Sequence, residues 1–169
     1  MIQSYFGGGK GKTSSAVGSI IRCLGSGKKV LFVQFLKNND SSELEILRKL
    51  SGVDILVSEE PYHLFDNQKS ERTGPLSRAY QRLLEQITTV ISDYSLVVLD
   101  EILDVIDFGY LPEETLLTLL RQFKDWLEFI LTGHKISPNI ADISDYISEV
   151  KEVKHPYQKG MSPRKGFEY

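Results

Sequence analysis

The chain has 169 residues, 41% of them hydrophobic and 25% charged, with a net charge of −3. That length suits one domain with a sizeable core, and the mild negative charge argues against a broadly basic nucleic-acid surface. An anionic ligand must then be held by a few placed cations and backbone N–H groups.

Cys23 is the one cysteine; it allows no internal disulfide and reads as an apolar packing residue of a cytoplasmic protein. No run approaches the roughly 20 apolar residues of a membrane span. Residues 1–6 read as the start of a core strand and not as a signal peptide.

Apolar runs bounded by turn residues alternate with helical patterns, the βαβ signature of a parallel sheet. Residues 2–6 read as the first strand. A helix is expected over 13–24, where Ala16, Ile20, Ile21 and Leu24 share one face, and Gly25 and Gly27 close it. Residues 29–36, KVLFVQFL, form the near-continuous apolar run of a strand covered on both faces. A helix over 42–50 and a strand over 53–57 follow. Residues 59–75 read as a long, irregular connection of the kind that carries function in a small domain.

A helix over 76–91 leads to the strand LVVLD at 96–100. Pro112 at the first helical position, with Glu113 and Glu114 in the first turn, begins a helix that runs to Phe123. Trp126 and Met161 read as packing residues. A strand over 127–132, a short helix or turn over 141–146 and a last strand over 147–153 complete a single domain over 1–169. The pattern is an α/β fold, with a mostly parallel central sheet and helices on both faces.

Between the first strand and its helix stands Gly7-Gly8-Gly9-Lys10-Gly11-Lys12-Thr13. In that position a glycine loop is a phosphate cradle. Its backbone N–H groups converge, the helix N-terminus adds partial positive charge and Lys12 a full one, while Thr13 can place its hydroxyl on magnesium. The first-glycine position of the usual motif is Phe6, so the loop departs from the common spelling. Downstream, Asp100 ends LVVLD where the acid of a P-loop protein faces the nucleotide metal. Glu101 points to the substrate side, as a metal ligand or a positioning group. Asp104 and Asp107 read as members of a solvated face or turn caps. To this point the residues describe a RecA-like P-loop NTPase fold.

The chain further resembles the cob(I)alamin adenosyltransferases of the P-loop type. GGGKGKTSSA (7–16) is similar to that family's GNGKGKTTA. VQFLK (33–37), LDEILDVIDFGYL (99–111), LTGHKISPNIADISDYISEV (131–150) and VKHPYQKGMSPRKGFEY (153–169) follow in the family's order. The departures are Gly8 for an asparagine, Ser14 for a threonine and His134 for the arginine of a TGR motif. Arginine is a permanent bidentate cation and histidine is not, so ATP binding is expected to be weakened or made pH-dependent. The family's segment before the first strand, which in relatives helps cover the corrinoid, has no counterpart in these residues, so corrinoid affinity, more than ATP binding, is expected to be lowered.

The resemblance implies transfer of the 5′-deoxyadenosyl group of ATP to the Co(I) centre of a corrinoid, with triphosphate leaving. It implies ATP contacts at Gly7, Gly8, Gly9, Lys10, Gly11, Lys12, Thr13, Ser14, His134, Lys154 and His155. Magnesium or manganese would lie on Thr13, Asp100 and Glu101. Lys12 and Glu101 would act in catalysis, and His63 and Phe65 would meet the corrinoid's lower face. The plain alternatives are a core anchor at Phe65, and a solvated strand end at Lys154 and His155. A flavoprotein reductant and a homodimer are expected partners, nucleic acid and membrane are not. A P-loop ATPase or kinase, or a module that binds ATP or corrinoid without turnover, stays open at this point.

Overall fold

Every strand among the described residues runs the same way. In a computed structural model the sheet has six parallel strands in the order β3-β2-β4-β5-β1-β6. The structure describes residues 1–37, 41–62, 74–154, 160, 164 and 166–167. The strands are β1 Ile2–Phe6, β2 Val30–Gln34, β3 Val53–Val57, β4 Leu96–Asp100, β5 Glu128–Gly133 and β6 Tyr146–Glu149; the helices are α1 Lys12–Gly25, α2 Ser42–Leu47, α3 Pro75–Val90, α4 Ile102–Asp107, α5 Glu113–Phe123 and α6 Pro138–Ile143.

The period-2 alternation of the strands divides the core into two layers. Val30, Phe32, Leu96, Val98 and Ile130 face one side and pack with Ala16 and Ile20 of α1 and Leu44 and Leu47 of α2. Leu31, Val33, Val97, Leu99, Phe129 and Leu131 face the other side, against α3, α4 and α5. Because both faces are covered, β2 and β4 are buried along their whole length, which is why their sequences read as unbroken apolar runs.

Register brings the C-terminal ends of the strands to one edge of the sheet. Gln34 stands opposite Asp100, Leu99 opposite Leu131, and Phe6 opposite both Gly133 and Glu149. In open α/β sheets ligands bind beyond this edge.

Several boundaries differ from the sequence reading. β2 stops at Gln34 and the chain kinks at Leu36, which has φ 51. Pro112 is the N-cap of α5 and not its first residue. α6 begins at Pro138, ahead of the expected 141, because the Ser137 hydroxyl caps the Ile140 N–H and proline suits the first turn. β6 is a four-residue edge strand, exposed throughout. α4 was not anticipated. Trp126 is 54% exposed and leans edge-on against Phe123, so it is not a packed core residue. Cys23 is only partly buried, beside the α1 layer, and that burial raises its thiol pKa. Among the described residues no helix is long and apolar enough to cross a membrane.

Candidate functional site

The glycine loop is shaped by the chain that follows β6. Gly9 N–H donates to the Val150 carbonyl at 2.7 Å, and Val150 N–H to Phe6 at 2.7 Å. A Cβ on Gly7 would stand 2.4 Å from the Val150 oxygen, and one on Gly9 2.8 Å from the Lys151 carbonyl. Gly7 also needs φ 116, and Gly11 φ 115, a region that side chains resist. Gly8 meets nothing within 4 Å, so the asparagine of related loops would fit there.

α1 opens at Gly11 with no side-chain cap. Its first N–H groups are therefore available to an anion, backed by the helix dipole. Lys12, 8% exposed, arches back over the loop and donates to the carbonyls of Gly7 (2.7 Å) and Gly9 (3.0 Å). Lys10, Gly8 and Ser14 lie exposed around it.

Asp100 is fully buried. Its Oδ1 accepts from Thr13 and from Thr132, each at 2.8 Å. Its Oδ2 accepts from Lys37 Nζ at 3.0 Å and from Gln34 Nε2 at 3.2 Å. Lys37 also lies 3.5 Å from Glu43. Burial pulls the Lys37 pKa down, but Asp100 outweighs it and the pKa is raised. The hydroxyl of Thr13 beside the carboxylate of Asp100 makes an all-oxygen pair of the kind magnesium accepts together with nucleotide phosphates.

Glu101 takes φ 65, and its N–H is held by the Thr132 hydroxyl at 2.8 Å. A non-glycine residue there costs on the order of 1 kcal/mol. Burial, a hydrogen bond with Asp104 and the charge of Asp100 push its carboxyl up to about 8, with Lys37 pulling the other way. Asp104 overturns the sequence reading of a solvated acid: it is 2% exposed and grips His134. Its two oxygens take the His134 N–H at 2.9 Å and Nδ1 at 2.8 Å. Burial alone would raise the Asp104 pKa, but the bonds from His134 and Glu101 hold it below the usual carboxylate range. The same pairing raises His134 above its ordinary value, against its partial burial. Asp107, by contrast, pairs at the surface with Lys135.

The structure thus brings together Gly7, Gly9, Gly11, Lys12, Thr13, Asp100, Glu101 and His134. Lys154 is exposed on the chain beyond β6. His63, Phe65, His155 and Met161 lie outside the described residues. Sequence reading missed Gln34, Lys37, Asp104 and Thr132. The signal was present for two of them: Gln34 and Thr132 are polar residues that directly follow the apolar runs VLFV and FIL.

The whole chain, residues 1–169, matches the family model described as ATP:corrinoid adenosyltransferase BtuR/CobO/CobP. The corrinoid adenosyltransferase of Escherichia coli (strain K12) is 30% identical over 165 residues, covering 98% of this chain and 83% of that protein. The corrinoid adenosyltransferase of Pseudomonas aeruginosa (strain PAO1) is 31% identical over 171 residues, covering 98% and 81%. Among solved structures, EssC (ATPases 2 and 3) from Geobacillus thermodenitrificans superposes with a TM-score of 0.55 at 16% identity, over 99% of this chain. This chain spans 36% of that one, and the likeness speaks for the fold alone. A match over the full length, with corrinoid adenosyltransferases aligned along 98% of this chain, decides the matter of kinship: the chain belongs to the ATP:corrinoid adenosyltransferase BtuR/CobO/CobP family, enzymes that adenosylate corrinoids at the expense of ATP.

Proposed function

We propose that residues 7–13 hold the triphosphate of ATP while the 5′ carbon is attacked by the Co(I) centre of the corrinoid substrate. The cobalt electron pair forms the Co–C bond, the C5′–O bond breaks, and triphosphate leaves with that bond's electrons. The observation that carries this reading is the junction of Lys12, Thr13 and Asp100 at the mouth of the loop. Lys12 exchanges the carbonyls of Gly7 and Gly9 for phosphate oxygens, and the uncapped N–H groups of α1 meet the same charge. These groups stabilise a leaving group and not a phosphoryl group in transit. Magnesium or manganese, held by Thr13 and Asp100 with Glu101 beside them, would neutralise charge on the triphosphate.

The nucleophile is the substrate's own metal, so the chain needs no general base. His134 takes the part of the relatives' arginine: Asp104 fixes its ring and favours its charged form. Lys10, Ser14, Lys154 and His155 are assigned to nucleotide binding. His63 and Phe65 are assigned to the lower face of the corrin. A flavoprotein electron donor, a homodimer and a cytoplasmic location fit the family's chemistry.

The test is anaerobic: purified protein, Mg-ATP and chemically reduced cob(I)alamin, followed by visible spectrum and phosphate analysis. A light-sensitive alkylcobalamin with free triphosphate is expected. ADP in place of triphosphate would instead mean an attack at phosphorus, and would overturn the reading. His134→Arg tests the second assignment. Nucleotide affinity of the parent is expected to fall as pH rises through the raised pKa of His134, whereas the arginine variant lacks that fall. Parallel profiles would remove His134 from the phosphate site.

A further inference from the structure

The Asp100 carboxylate is completely buried, and among the described residues its ion pair is with Lys37. The two oxygens are divided between different tasks. Oδ1 takes the hydroxyls of Thr13 and Thr132, and Oδ2 takes Lys37 and Gln34. Lys12, the buried cation of the loop, is turned to the loop carbonyls.

Lys37 reaches Asp100 by way of a kink. Phe35 N–H stays with the Asp100 carbonyl at 3.0 Å, after which Leu36 enters the left-handed region at φ 51. The Leu36 N–H donates to the Tyr80 hydroxyl at 3.0 Å. The Tyr80 ring is fixed edge-on between Phe35 and Tyr110, with centroids at 5.2 and 5.9 Å. A strained non-glycine residue survives only where its surroundings over-determine it, and such strain gathers at functional sites.

We propose that Lys37 is a further residue of the transfer site, paired with Asp100 in the ligand-free protein and passed to the triphosphate when Asp100 takes up a divalent cation. This rests on the reading that Thr13 and Asp100 hold that cation. An ammonium and a divalent ion at one buried carboxylate repel each other strongly, because the local dielectric is low. The Lys37 side chain is 26% exposed and therefore sits at the rim, with Glu43 3.5 Å away as a second resting place. A four-carbon stem lets its charge swing by several ångströms. The nucleotide delivers its phosphates to Thr13, on the neighbouring oxygen of the same carboxylate, so anion and cation arrive together. The freed ammonium then faces the charge that grows on the departing triphosphate.

The experiment compares the unaltered protein with Lys37→Met and Glu43→Gln. Each is titrated with Mn2+ alone, counting free ion by electron paramagnetic resonance, then with inorganic tripolyphosphate alone and with Mg-ATP by calorimetry. Lys37→Met is expected to bind Mn2+ about tenfold more tightly and tripolyphosphate about tenfold more weakly. Its ligand-free melting temperature should drop and be restored by Mn2+. Glu43→Gln, which keeps the Lys37–Asp100 pair but removes the second resting place, should weaken Mn2+ binding a few-fold. Unchanged or weaker Mn2+ binding in Lys37→Met, or unchanged tripolyphosphate binding, overturns the proposal. Should that variant not fold, Mn2+ affinity in Glu43→Gln equal to the parent's overturns it. Failure of the unaltered protein to bind Mg-ATP would bring down the underlying metal reading instead.

Discussion

Glu101 follows β4 at φ 65 and is held there by Thr132, wedged between the acids Asp100 and Asp104. Its carboxyl is pushed up to about 8 from an ordinary 4.5, first by burial and then by those neighbours. Between these two values the folded chain keeps a proton that the unfolded chain has lost, so stability declines as pH rises through the window. His134 adds its own decline: its pKa is raised from 6.5, so its contribution is full below that value and fades as pH climbs through the folded pKa. Glu101→Gln removes the first decline and leaves the second. One pKa unit corresponds to about 1.4 kcal/mol, so the variant should exceed the parent by up to about 5 kcal/mol near the top of the window. Urea melts across a pH series give the answer, and parallel profiles for the two proteins would refute the assignment.

At the scale of elements, the glycine loop and edge strand β6 form one unit. Gly7→Ala would drive a methyl group into the Val150 carbonyl, 2.4 Å from the ideal Cβ, at a φ that alanine resists. Backbone cannot yield as a flexible side chain does, so a loss of about 2–3 kcal/mol is expected, together with weakened ATP binding. Gly8→Asn meets open space and should leave the melting temperature nearly unchanged. If both variants melt alike, β6 does not shape the loop. Sequence alone revealed the loop and the strands β1, β3 and β4, because glycine, apolar runs and terminal acids leave local marks. It did not reveal α4: ILDVID follows the apolar LVVLD so closely that no turn residue separates them, and Glu101 makes the break with a φ that glycine would have advertised. Asp104 was misread for the same reason. An acid in a short apolar stretch looks solvated until the fold brings His134, 30 residues on, against it. Lys37 was invisible because its partner lies 63 residues away.

The order of strands decides how the whole molecule should respond to its ligand. β1 and β4, which carry the loop and Asp100, are separated by β5, and Thr132 of β5 bridges the gap by bonding Asp100 and Glu101. A nucleotide bound there would touch α1, which packs on one face of the sheet, and the β4–α4 junction, which packs on the other. Both layers are then tied to one ligand, and the chain should melt in one transition that moves as a whole. At a ligand concentration 100 times Kd, linkage adds about 2.7 kcal/mol. For a chain of this length each kcal/mol raises Tm by about 2–4 °C, so Mg-ATP should shift it by roughly 5–11 °C. Chelating the divalent ion should shrink the shift, and Lys12→Ala should nearly abolish it. Scanning calorimetry distinguishes the outcomes. A single peak that moves bodily fits a ligand bridging both layers. A peak that splits, with only part of the heat moving upward, would show that the loop and its helix bind on their own and that Asp100 lies outside the nucleotide site.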